Sequence, residues 1–173
     1  MRKIGQTLRF LIPIIALVAL VVFMTGLGRR RRAAEEMKAK GEQFCRAAWN
    51  TGDADLLEGI YAPDIVIHSP PYPDIEGLEA YKGYLLAVLK GYPDFQVTVV
   101  ERIVEGDRQT IRWTWRGTHT GDLFGIPPTG KEVIGTGCEV QHWVDGKVVE
   151  LWKYPDELGL MQQLGFKLVP AEE

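Results

Sequence analysis

A chain of 173 residues with 46% hydrophobic side chains can bury the core of one compact domain and still carry an appendage. Its formal net charge of -3 argues against a nucleic-acid surface, because phosphate binding needs a concentrated basic face. Cys45 and Cys138 are the only cysteines, without Cys-x-x-Cys spacing or a companion His pair, which argues against a structural zinc.

Residues 1–9 form a short basic N-terminus, and Phe10 to Gly28 carries no charged residue. As a helix this run rises about 1.5 Å per residue, just enough to cross a hydrocarbon core of about 30 Å. Pro13 falls in its first turn, where a missing N–H costs least, and Gly26 and Gly28 lie at its far end. A cleaved signal peptide would have a shorter apolar run and a small-x-small site, whereas Thr25-Gly-Leu-Gly28 leads into Arg29-Arg-Arg-Arg32. The expectation is a transmembrane helix over residues 10–28, making a single-pass membrane protein with the membrane as a partner. Arg29 to Arg32, Lys38 and Lys40 outnumber Arg2, Lys3 and Arg9, which favours a cytoplasmic domain. Residues 29–40 read as a charged linker or a continuation of the helix.

The domain is expected over residues 41–168. Ala33 to Asn50 carries Met37, Phe44, Ala47 and Ala48 at near-helical spacing until Asn50-Thr-Gly-Asp53 stops it. Asp53 to Tyr61 reads as a second short helix, Ile65 to Ile67 as a short strand, and His68-Ser-Pro-Pro-Tyr-Pro73 as a rigid loop. Leu78 to Leu89 predicts a helix with Tyr81, Leu85, Val88 and Leu89 on one side. Phe95 to Val104 and Gln109 to Gly117 predict a hairpin across Glu105-Gly-Asp107. Val133 to Val144 and Lys147 to Tyr154 predict another across Asp145-Gly146. Helices first and antiparallel strands afterwards make an α+β pattern.

A regular two-residue turn at Asp145-Gly146 pairs Val144 with Lys147, Trp143 with Val148 and Gln141 with Glu150. One face then holds Glu139, Gln141, Trp143, Val148, Glu150, Trp152 and Tyr154, the mixture of aromatics and acceptors expected of a ligand pocket. The other holds Ile134, Thr136, Cys138, Val140, His142, Val149 and Leu151 and reads as packing. A single β-bulge would overturn this parity.

Four strings follow one another in the last third: Gly117-Thr-His-Thr-Gly121, Gly125-Ile-Pro-Pro-Thr-Gly-Lys131, Asp145-Gly-Lys-Val-Val-Glu-Leu-Trp152 and Asp156-Glu-Leu-Gly-Leu-Met-Gln-Gln-Leu-Gly165. In this order they resemble the SnoaL-like polyketide cyclase, or ester cyclase, family. The resemblance covers roughly Gly41 to Phe166. It implies the cone-shaped NTF2-like (cystatin-like) fold, a curved antiparallel sheet over two to three helices. It also implies cofactor-free and metal-free general acid/base chemistry, an intramolecular aldol closure of a lipophilic polyketide ester.

An Asp near the end of the last strand is the family's proposed acid/base, and the resemblance carries that role to Asp156. The competing reading of Asp156 is a helix N-cap, and Glu150, inside the strand, is the second carboxylate. His68, His119 and His142 are candidate substrate contacts, each equally readable as a turn, loop or packing residue. Trp113, Trp115, Phe124, Trp152, Tyr154 and Gln141 are candidate wall residues, with Tyr61, Tyr81 and Tyr84 as further aromatics that could be plain core. The remaining alternatives are a ketosteroid-isomerase-like or epoxide-hydrolase-like enzyme, and a non-catalytic membrane-tethered binder of a small molecule. A homodimer through the outer face of the sheet is possible on this fold.

Overall fold

The computed structural model describes the backbone of residues 2–167 and 169 and the side chains of residues 17–167 and 169. Two compact units are present, Met1–Glu36 and Met37–Glu173. Helix α1 (Arg2–Lys40) makes up the described part of the first unit, and its last turn belongs to the second. Among the described residues no helix is long and apolar enough to cross a membrane. This overturns the transmembrane helix expected over residues 10–28. Residues 10–16 of that span lie outside the residues whose side chains are described. The single-pass localisation and its orientation fall with it.

In the second unit α1 passes into a π-helical turn at Gly41–Arg46 and then α2 (Ala47–Thr51), which Gly52 ends in the left-handed conformation at φ 78°. The second short helix expected from Asp53 is a 3-10 turn, Ala54–Gly59, capped by the Asp53 side chain, which accepts from the Asp55 N–H at 3.2 Å. Then come β1 (Tyr61–His68), β2 (Ile75–Glu76), α3 (Leu78–Gly91), β3 (Gln96–Glu105), β4 (Arg108–Thr118), β5 (Glu132–Val144), β6 (Lys147–Pro155) and α4 (Glu157–Leu164).

The six strands form one sheet in the order β2-β1-β6-β5-β4-β3. Both expected hairpins are present, and at the second Asp145 (φ 48°) and Gly146 (φ 75°) have the two positive φ angles that the tight turn requires. The pairing of β1 with β6 is parallel, so the sheet is mixed rather than wholly antiparallel. Helix α3 buries Leu78, Tyr81, Leu85 and Val88 at helical spacing against Ile65, Ile67, Val148 and Leu151 from the sheet. Its one buried cation, Lys82, reaches Glu58 at 2.6 Å, Asp55 at 2.9 Å and Glu79 at 3.1 Å. Those carboxylates, Glu58 first, hold the ammonium well above the usual lysine range.

Two bulges set which side chains face the helices. Val99 pairs with Trp113 but Glu101 with Arg112, which leaves Val100 extra in β3. Trp143 pairs with Val148 but His142 with Glu150, which leaves Val149 extra in β6. The inner face of β4 and β5 alternates Gln109, Ile111, Trp113, Trp115 and Gly117 opposite Gln141, Glu139, Gly137, Gly135 and Val133. Gly135 and Gly137 are small for a reason: a Cβ on either would strike the ring of Trp115 or Trp113 respectively. The two indoles therefore lie flat across β5.

Gly137→Ala forces Trp113 off β5 and also crowds the Tyr154 carbonyl. It is expected to cost about 1–3 kcal/mol of stability in denaturant titration and to blue- or red-shift tryptophan emission.

Candidate active site

The bulge at Val149 reverses the facing of the C-terminal half of β6. Ahead of it Trp143 and Val148 point inward as the regular hairpin requires; beyond it Leu151 and Lys153 point inward, opposite Gln141 and Glu139. Glu150, Trp152 and Tyr154, expected on the pocket face, stand on the outer face. The correction is one of parity, since one extra residue exchanges the two faces of everything after it.

Glu139 is 6% exposed and sits at the centre of the inner face. Its Oε1 accepts from Gln141 Nε2 at 2.7 Å, and Gln141 Oε1 accepts in turn from the Trp143 indole N–H at 3.2 Å. Lys153 is its direct cross-strand partner, which puts the two Cβ atoms about 5 Å apart. The ammonium of half-buried Lys153 lies 5.0 Å from the ring of Trp49, 5.1 Å from Tyr84 and 5.7 Å from Trp113, so three aromatic faces surround the cation. Burial raises the Glu139 carboxyl above its ordinary value, against the opposing pull of Lys153, the Gln141 hydrogen bond, Arg102 and the Trp113 indole.

Other polar groups line this face. Cys45 Sγ lies 3.4 Å from the Tyr61 hydroxyl, and burial, aided by the Glu139 charge, pushes the thiol up to about 12. That thiol is an inert packing group, not a nucleophile. Arg102 bonds Glu42 at 3.2 Å through Nη1, while its Nε and both amide atoms of Gln109 are buried without a protein partner among the described residues. Among the described residues no group of His, Cys, Asp and Glu could hold a metal ion.

The residues expected at the site are thus divided. Trp113, Trp115 and Gln141 are on the inner face, and Tyr84 and Trp113 contribute to the cage around Lys153. Tyr61 and Tyr81 are fully buried core, meeting edge to face at 5.2 Å. Phe124 is exposed on a loop at φ 49° and stacks on Tyr84 at 5.8 Å. His119 is buried, with Nδ1 accepting from the Thr129 N–H at 3.3 Å. His68, His142, Glu150 and Trp152 assemble on the outer face instead. His68 bonds Asp74 at 2.9 Å and Glu150 at 3.2 Å and stacks on Trp152 at 5.2 Å, while His142 meets Asp107 at 3.3 Å and Glu150 at 3.8 Å. The Asp74 and Glu150 carboxylates raise the His68 imidazole above its ordinary value.

Asp156 caps α4, its Oδ1 accepting from the Gly159 N–H at 2.8 Å, and is exposed. With Tyr154, Arg112 and Thr136 it borders a wide-mouthed hollow of about 520 Å³ on the outer side of the sheet. No buried base faces that hollow, and the Asp156 carboxylate is already engaged in the cap. Lys153 is the group that sequence reasoning passed over, and Glu139, expected on the pocket face, was not singled out as the acid/base. The Gly135-x-Gly137-x-Glu139 spacing opposite Trp113-x-Trp115 is the signal that marks Glu139, because two glycines clear space beside a carboxylate on the same face.

The likeness to known proteins agrees with this architecture. The family model for SnoaL-like polyketide cyclases matches residues 39–164. The aklanonic acid methyl ester cyclase DnrD of Streptomyces peucetius is 28% identical over 124 residues, covering 68% of this chain and 83% of that protein. Among solved structures, a SnoaL-like cyclase candidate from Jannaschia Sp. CCS1 superposes with a TM-score of 0.70 at 21% identity, covering 78% of this chain and 94% of that one. IdmH, a polyketide cyclase candidate from Streptomyces antibioticus, does so with a TM-score of 0.65 at 29% identity, covering 75% of this chain and 99% of that one. With its α+β NTF2-like cone of curved sheet and helices, the chain belongs to the SnoaL-like polyketide cyclase family.

Proposed function

We propose that this chain is a cofactor-free cyclase that closes a ring in a lipophilic polyketide ester, with Glu139 as general base and Lys153 as the stabiliser of the developing oxyanion. The observation that carries the reading is the pairing of a buried carboxylate with an aromatic-caged ammonium on the concave side of the sheet. The substrate class follows the cyclase relative, whose name specifies a methyl ester of a polyketide acid.

In this reading Glu139 removes a proton from the carbon between two carbonyl groups, and the electron pair moves onto the carbonyl oxygen near Lys153. The enolate carbon then attacks a ketone of the same molecule, forming the new carbon–carbon bond. The ketone oxygen receives the electron pair and takes back the proton from Glu139, so no atom is gained or lost. Burial raises the proton affinity of the base and so brings it nearer that of the acidic carbon. The aromatic walls exclude water and hold a flat chain folded for attack.

Ring closure of aklanonic acid methyl ester, followed by chromatography, tests the assignment. Glu139→Gln is expected to lower kcat by about 10²- to 10⁴-fold, and Lys153→Met by about 10²-fold or more. Glu150→Gln and Asp156→Asn are expected to turn over at the parent rate. Loss of activity in those two with none in Glu139→Gln sinks the base assignment.

The raised Glu139 carboxyl also sets two pH dependences. Only the ionised base reacts, so kcat/KM is expected to climb as pH rises through the elevated Glu139 value. Stability runs the other way: the folded state keeps the proton over a window in which the unfolded chain has lost it, so stability falls as pH rises from the unfolded value to the folded one. Glu139→Gln removes that penalty and is expected to raise Tm at neutral pH by about 2–4 °C even as turnover falls.

A further inference from the structure

Two buried polar groups, on His119 and Tyr92, take no part in the chemistry above. His119 is fully buried, and its Nδ1 lies 3.3 Å from the Thr129 N–H that donates to it and 3.2 Å from Thr129 Oγ1. An accepting Nδ1 puts the ring proton on Nε2. That Nε2 is buried without a protein partner among the described residues. The Tyr92 hydroxyl is in the same condition, on a side chain 1% exposed whose ring lies 5.2 Å from that of His119.

A buried donor without an acceptor carries its full desolvation cost, and two on neighbouring rings double it. The fold nevertheless fixes both rings in place. His119 is pinned by its own N–H to the Lys131 carbonyl at 2.8 Å and by its carbonyl, which accepts from the Gly130 N–H at 2.8 Å. Tyr92 packs on Trp115 at 4.9 Å and lies against Gly117, where an added Cβ would come within 3.1 Å of it. Burial, then the nearby Glu157 charge, pushes the Tyr92 phenol up to about 12, so it stays an O–H donor at any working pH. The same carboxylate repels an anionic guest, and two neutral donors suit a neutral oxygen.

The position matters as well. Trp113 borders Lys153, while Gly117, in phase on the same strand face, borders Tyr92. Four residues of strand separate them, about 13 Å. Trp115 lies between and supplies a continuous aromatic floor.

We propose that Tyr92 Oη–H and His119 Nε2–H form a two-donor subsite for a carbonyl oxygen of a flat, multi-ring substrate, remote from the carbons that react at Glu139 and Lys153. This rests on the cyclase reading for where the reacting carbons lie, but the subsite is defined by binding alone. It makes Tyr92 and His119 specificity residues that select a rigid skeleton bearing an oxygen remote from the point of closure, on the order of the 13 Å of strand between Trp113 and Gly117.

Binding of two flat probes to the full chain tests this, with tryptophan quenching as readout: a hydroxyanthraquinone and a hydroxyanthracene of the same ring number without the quinone carbonyls. The parent is expected to prefer the quinone. Tyr92→Phe is expected to lose about tenfold in affinity for the quinone and none for the hydroxyanthracene, with Tm unchanged or raised because an unmet hydroxyl has gone. His119→Asn, which keeps an acceptor for Thr129 and deletes the Nε2 donor, is expected to do the same. If the parent binds neither probe, or if both variants keep the full quinone preference, the subsite is refuted whatever Glu139→Gln does to turnover. Full turnover in Glu139→Gln together with a lost quinone preference in Tyr92→Phe refutes the catalytic reading and leaves the subsite standing.

Discussion

The extra residue at Val149 is the constraint on which the interior depends. Without it Glu150 would lie across from Gln141, and Trp152 and Tyr154 would turn toward the helices. With it Leu151 closes the core and Lys153 comes to rest opposite Glu139. The bulge carries no side-chain chemistry of its own. It acts by changing the count, which in a structure of period two is equivalent to rotating the rest of the strand by half a turn. The second bulge, at Val100, has the same effect on β3 and turns Arg102 inward beside the same cluster.

The inner face is costly to build. A carboxylate with 6% exposure, and a guanidinium Nε and a primary amide without protein partners among the described residues, are a burden that most small domains avoid. The offsetting contributions come from groups already present for packing: Gln141 and Trp143 form a short chain of donors ending at Glu139, and three rings surround the Lys153 ammonium. The outer face makes a contrast. Its carboxylates and imidazoles alternate in sequence from Asp74 through His68, Glu150 and His142 to Asp107, and remain partly hydrated, so their charges are cheap.

Much of the fold was legible in the sequence because its signals are local. The apolar spacing of α3, the Gly106 and Asp145-Gly146 turns and the alternation of Trp113 with Trp115 each depend on neighbouring residues, and each element appears where its pattern put it. The resemblance of the four C-terminal strings named the family. What stayed hidden is non-local. The parallel pairing of β1 with β6 joins segments about eighty residues apart, and nothing in Ile65-Val-Ile67 points to a partner. The Val149 bulge leaves no composition mark, so Glu150 and Trp152 looked like pocket residues and Lys153 drew no reading at all. The N-terminal apolar run shows a different limit. Hydropathy measures a length of sequence, and among the described residues no helix is long and apolar enough to cross a membrane.

The parallel contact between β1 and β6 also governs the order in which the molecule can assemble. The β3–β4 and β5–β6 hairpins close over a few residues and can form as soon as their turns exist, but β1 is completed early in the chain and hydrogen-bonds only to its short neighbour β2 until β6 has been made. A ribosome delivering this chain from its N-terminus therefore releases Ile65 and Ile67 with their core partners Val148 and Leu151 still to come. Completion of the sheet by β6 is a late event that carries a long-loop entropy, and the interval before it leaves the apolar first half open to pairing with another chain.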